Sequence, residues 1–184
     1  DHQRNRRHYA AMIENIDRQI GRFLDTVTQR GELDSTIVIF ASDHGEMLGD
    51  HSLWGKQTWH TASSGIPFII SGPGIVQGLE SSALVSLHDL TATFLEYAGA
   101  EMLPAMDSRS LRGVLESKRE EHRQHIISGL GDWRMVFDGR YKLVVSTNNP
   151  DLLYDIHEDP DEMHDIAGCE QSVAERLRAE LGKK

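Results

Sequence analysis

Asp43 and His44, an adjacent carboxylate and imidazole, are followed at a short distance by Lys56 and His60. Carboxylate and imidazole together are ligands for a divalent cation, and a lysine beside such a cation suits an anionic, tetrahedral oxyanion substrate. The alternative for Asp43 and His44 is a strand-end turn in which Asp caps and His packs. Lys56 on its own reads as a solvated loop lysine. His60, four residues beyond Lys56, either faces the substrate as a proton-transfer group or is an exposed loop histidine.

Those residues need elements to hold them. Thr36 to Ala41 is a short apolar run rich in β-branched residues, which reads as a strand buried on both faces, as in a parallel sheet covered by helices. Polarity begins abruptly at Ser42-Asp43-His44, where an open α/β sheet places its ligand sites. Gly45 lets the backbone turn, and Gly49 and Gly55 punctuate the loop that returns Lys56. Before this strand, Ile13, Ile16, Ile20, Phe23, Leu24 and Val27 recur at helical spacing. They predict an amphipathic helix from about 7 to 29, packed on the sheet and stopped at Gly31. After the site, Pro67 to Ser71 reads as a second sheet strand, and Ser86 to Tyr97 as a helix ending at Gly99. Residues 111 to 123 are charge-dense and read as a short exposed helix at a boundary.

The period then changes. His125 to Gly129, Trp133 to Phe137 and Tyr141 to Val145 are strand-like, the last two joined across Asp138-Gly139, a dipeptide suited to tight hairpins. Leu152 to Tyr154 supplies a fourth strand and Ser172 to Leu181 a closing helix. The expected fold class is α/β: part of a mixed or parallel sheet flanked by helices over 1–112, then a small antiparallel sheet with a C-terminal helix over 113–184. The acidic run from Asp151 to Asp165 lacks EF-hand spacing and reads as a solvated connection, with His164-Asp165 able to cap a turn.

The run from Ser42 to His51, then Trp54-Gly55-Lys56, resembles the metal-binding and substrate-lysine segment of the sulfatases, in the alkaline-phosphatase-like superfamily. Tyr9 to Asp17, Ile66 to Gly74, Ser86 to Leu90, Asp107 to Leu111, Leu153 to Asp155 and Asp159-Pro160 follow in the family's order, so the resemblance covers nearly the whole chain. It implies that Asp43 and His44 are metal ligands and that Lys56 contacts the sulfate and stabilises leaving-group charge. Calcium is favoured by mostly oxygen ligands, and manganese is the alternative once an imidazole is added. The family's nucleophile motif, Cys or Ser followed by any residue, Pro, any residue and Arg, occurs nowhere among the five prolines. The early Asp pair that completes the metal shell is also missing, and Cys169, outside any such context, reads as a partly buried, inert thiol. The expectation is therefore the C-terminal portion of a sulfatase, whose formylglycine nucleophile lies in a missing N-terminal part, and which alone turns nothing over. Its substrate would be a small-molecule or saccharide sulfate ester. A phosphate or phosphonate ester hydrolase of the same superfamily, or a non-catalytic module that kept the fold, are the other readings.

Composition narrows the partners. A formal charge of −10 and a pI near 5.4 argue against a nucleic-acid surface. No apolar run approaches the roughly 20 residues needed to span a bilayer. One cysteine permits no internal disulfide.

Overall fold

The computed structural model describes residues 1–182. A long helix α1 (His2–Gln29) leads through a short 3-10 turn into strand β1 (Val38–Ala41). The site loop and helix α2 (Thr61–Ser64) follow, then β2 (Phe68–Ser71), α3 (Asp89–Tyr97) and α4 (Arg112–Leu115). A meander of β3 (Ile126–Leu130), β4 (Trp133–Phe137), β5 (Tyr141–Ser146) and β6 (Leu152–Asp155) is closed by α5 (Gln171–Leu181). The fold is mixed α/β with a small antiparallel sheet and C-terminal helix.

β1 and β2 pair antiparallel, with Val38 opposite Ser71 and Ala41 opposite Phe68. This departs from the parallel, doubly buried strand expected of Thr36 to Ala41. Phe40 and Ile69 are exposed and lie opposite one another in register, so one side of this ribbon is uncovered. The composition of the run reported strand and apolarity, and neither property encodes strand direction. Similarly, α1 begins at His2, capped by the Asp1 side chain, five residues earlier than its apolar stripe indicates. Its apolar side is not packed on a sheet: Ile13, Ile16 and Phe23 are each more than half exposed and Val27 alone is buried.

The second sheet follows its sequence closely. β3-β4-β5-β6 are neighbours in order, every pair antiparallel, and separate from β1-β2. Asp138 Oδ1 accepts the amides of Arg140 (3.0 Å) and Tyr141 (2.7 Å), and Gly139 takes φ +99°, a left-handed conformation that favours glycine. Alternation then sorts the core. Val136, Leu143 and Leu153 face Leu177 of α5 on one side, while Trp133, Met135, Val144 and Tyr154 meet Trp59 on the other. The sheet is thus sandwiched between its own helix and the segment that follows Lys56.

Three further expectations change. Around α4, Leu111 and Val114 are buried at 2% and 6% exposure, so the charge-dense segment hides an apolar edge. The acidic run is not a solvated connection: Asp155 binds Arg140, Asp151 binds Arg178, and Glu162 is buried against Lys142. Asp165 does cap, accepting from the amides of Leu153 (3.0 Å) and Ala167 (2.9 Å). Cys169 is exposed rather than partly buried, because it lies in the turn before α5 with little packed over it.

Candidate active site

At the carboxyl end of β1 the chain passes from Ala41 through Ser42 to Asp43 and His44, and the two side chains converge. Asp43 Oδ2 lies 3.4 Å from His44 Nε2. His44 Nδ1 lies 2.7 Å from the Gly45 carbonyl oxygen, which only accepts, so Nδ1 carries the proton and Nε2 keeps its lone pair. Lys56 Nζ donates to that same Nε2. Asp43, His44 and Lys56 are therefore brought together on one side of the strand end.

The loop between them is tied at its base. Met47 donates its amide to Gly55 O (2.9 Å), and Glu46 Oε1 accepts from the amides of Gly55 (2.7 Å) and Leu48 (3.3 Å). Met47 is fully buried beneath this crossing. Leu48, His51 and Ser52 adopt positive φ of 49°, 53° and 61°, a backbone strain that the tied loop ends sustain. Arg6 of α1 reaches over to Leu48 O (2.8 Å) and Asp50 (2.6 Å), so the helix start braces the loop tip.

Gly45 serves a purpose other than turning. A Cβ there would strike the Ala62 carbonyl and come within 2.9 Å of the Gly65 carbonyl oxygen, while its own amide donates to Ser63 O at 2.7 Å. The strand end thus lies flat against α2, which only glycine permits.

His60 is placed elsewhere. It is 7% exposed, its Nδ1 is 2.6 Å from Thr58 Oγ1, and its ring lies tilted against His51 with centroids 3.9 Å apart. Burial, then the His51 charge, lowers its pKa. The exposed-loop alternative fails because Trp59 and Tyr154 pack around the ring. Its contacts are with that cluster rather than with Asp43, His44 or Lys56.

Sequence reasoning missed two supports. Lys142, on β5, donates to Glu162 Oε1 (2.6 Å), Thr61 Oγ1 (2.8 Å) and Trp59 O (3.3 Å), and Glu162 Oε2 accepts the Thr61 amide at 2.6 Å. This buried pair fastens the small sheet to residues just past Lys56. The other is Asp89, wholly buried. Burial raises its pKa, but Arg123 and the amides of Arg109 and Ser86 outweigh that and hold it at about 2. A lone charged residue inside an apolar-periodic stretch, such as Lys142 between Tyr141 and Leu143, was the only available signal.

The donors fit part of a divalent-cation site. A carboxylate and an imidazole whose unprotonated nitrogen accepts from Lys56, a contact that a bound cation would displace, and whose other nitrogen is anchored are two convergent potential ligands. Among the described residues no group of three or more His, Cys, Asp or Glu gathers to complete a shell.

This order of elements, a mixed α/β part followed by a small antiparallel sheet and a C-terminal helix, is that of the alkaline-phosphatase-like fold. The sulfatase family model matches residues 1–100. Choline-sulfatase of Rhizobium meliloti (strain 1021) is 33% identical over 171 residues, covering 89% of this chain and 33% of that protein. A solved structure in complex with its substrate D-glucosamine-2-N,6-O-disulfate superposes with a TM-score of 0.86 at 28% identity, over 92% of this chain and 38% of that one. The phosphonate monoester hydrolase from Silicibacter pomeroyi gives a TM-score of 0.77 at 31% identity, over 90% and 38%. The chain belongs to the sulfatase family. It spans 33% to 38% of the length of these relatives.

Proposed function

We propose that this chain supplies one side of a sulfate-ester hydrolase site within a longer polypeptide. Asp43 and His44 would hold a divalent cation, calcium by the predominance of oxygen ligands in such a site, with manganese as the alternative. Such a cation, when bound, offsets negative charge on the sulfuryl oxygens. Lys56 supplies a second positive charge from the same side and stabilises the oxygen that leaves as the ester S–O bond breaks. The nucleophile comes from residues outside this chain. The observation that carries the reading is the 3.4 Å approach of Asp43 Oδ2 to His44 Nε2, with Lys56 donating to that nitrogen.

The substrate class rests on the relatives, among which are a choline-sulfatase and a protein complexed with a disulfated glucosamine. Hydrolysis of phosphonate monoesters is the second reading, favoured by the 31% identity to a phosphonate monoester hydrolase.

Turnover of an aryl sulfate and of an aryl phosphonate monoester by the natural full-length protein tests both. Sulfate turnover that falls about 100-fold or more in Asp43→Ala and Lys56→Ala supports the proposal. Unchanged rates in both variants overturn it, and a preference for the phosphonate selects the second reading. The 184-residue chain by itself should show no turnover above background, since correct placement of a nucleophile is worth several powers of ten.

A further inference from the structure

The segments that flank α4 enclose a recess of about 640 Å³, remote in sequence from Lys56. Arg109 lines it from the segment before α4, and Lys118 and Arg119 from the segment after it, with Arg112 on α4 itself. Glu96 and Glu116 also line it. Glu116 is consumed by neighbours, its two oxygens binding Arg112 Nε (2.6 Å) and Lys118. Among the described residues the Arg109 and Arg119 guanidinium groups have no carboxylate partner. Four cations against two carboxylates leave two positive charges in excess, on a chain whose formal charge is −10.

The two segments are built rather than incidental. Buried Asp89 accepts the Arg109 amide at 2.9 Å and Arg123 Nε at 2.9 Å, and it contacts His122 Nε2 at 3.2 Å. Arg123 also donates to Asp107 O at 2.8 Å. One carboxylate thus pins the loop bearing Arg109 to the segment that returns from Arg119. In the other segment, Gly113 O accepts the amides of Lys118 (2.8 Å) and Arg119 (3.0 Å), and Ser117 takes φ +54° to make that turn. The Arg119 stem then lies so close over Gly113 that a Cβ there would sit 3.1 Å from Arg119 Cδ. Both unpaired guanidinium groups are held on preset backbone, and His122 at the recess is kept neutral near pH 7 because burial outweighs the pull of Asp89.

We propose that this recess is a binding site for a tetrahedral oxyanion, sulfate or phosphate, free or carried on an ester, gripped by Arg109 and Arg119. Guanidinium forks match such oxygens in geometry and charge, and the free dianion offsets the whole local excess of two while a sulfate ester, singly charged, offsets half of it. The proposal shares no residue with the Lys56 site and does not rest on it.

Nuclear magnetic resonance titration of the 15N-labelled 184-residue chain with inorganic sulfate, inorganic phosphate and glucosamine 6-sulfate tests it. The expected result is saturable shifts at the Arg109 and Arg119 Nε–H and at the Gly113 amide, unaffected by Lys56→Ala. Arg109→Gln with Arg119→Gln should weaken binding about ten-fold or more. Gly113→Ala, which displaces the Arg119 stem without altering charge, should also weaken it, and Arg109→Gln alone repeats the test should Gly113→Ala unfold. Tighter binding of the sugar sulfate identifies an ester as the ligand, equal affinity identifies the free ion, and either supports the site. Shifts that never saturate, or affinity unchanged in the double variant, would overturn it.

Discussion

Gly45 is where local sequence and tertiary contact meet most tightly. It was legible as a turn residue, yet its reason is the carbonyls of Ala62 in α2 and of Gly65 just after it against its Cα, which no local pattern reveals. Gly45→Ala should therefore cost about 1–3 kcal/mol in urea unfolding, because backbone atoms must move to admit the methyl. Asp43, His44 and Lys56 were readable because chemistry concentrates unlike residue types at a strand end. Glu46, which ties the loop that returns Lys56, was not, since an acidic loop residue is ordinarily solvated. Buried titratable groups set the pH response. His60 and His122 are held neutral in the fold but protonate when unfolded, so stability should decline as pH falls below about 6.5. Asp89 has the opposite partner balance: its folded pKa of about 2 lies below the ordinary 3.8, so its contribution is full above pH 4. About 2 kcal/mol is then lost as pH falls from about 4 to about 2. Urea midpoints measured from pH 8 to pH 2 check both steps. Cys169, exposed in its turn, should react fully with a thiol reagent without denaturant.

The elements of the C-terminal sheet were the most readable, since alternation along Trp133 to Phe137 and Tyr141 to Val145 fixes both strand type and face, and Asp138-Gly139 fixes the hairpin. β1 was half readable: apolar, β-branched composition marks a strand, but its antiparallel partner Phe68–Ser71 is set by contacts 30 residues away. Lys142 on β5 illustrates the limit from the other direction. Its charge on an apolar strand looks like a solvent-facing position, and only the fold shows Glu162 and Thr61 closing over it. Glu162→Ala should destabilise the protein by about 3–5 kcal/mol by leaving that ammonium buried and unpaired. Joint replacement by Lys142→Met and Glu162→Met should cost less than Glu162→Ala alone, as calorimetry of the two variants would show.

Across the molecule, apolar surface is unevenly buried: the C-terminal sheet is covered on both faces, while α1 exposes Met12, Ile13, Ile16 and Phe23. The 184-residue chain should bind a hydrophobic dye strongly, and Ile16→Lys with Phe23→Lys should reduce that fluorescence while leaving the β3–β6 sheet intact. The buried Lys142–Glu162 pair has a different consequence, for recombination between relatives. Its ammonium comes from one strand, its carboxylate from a loop 20 residues later, and its remaining acceptors from Thr61 and Trp59, on the other side of any cut made between the two sheets. A shuffled gene that exchanges the C-terminal sheet alone inherits a cation fitted to a foreign surface, so productive crossovers are confined to exchanges that carry residues 59–61 together with 142 and 162.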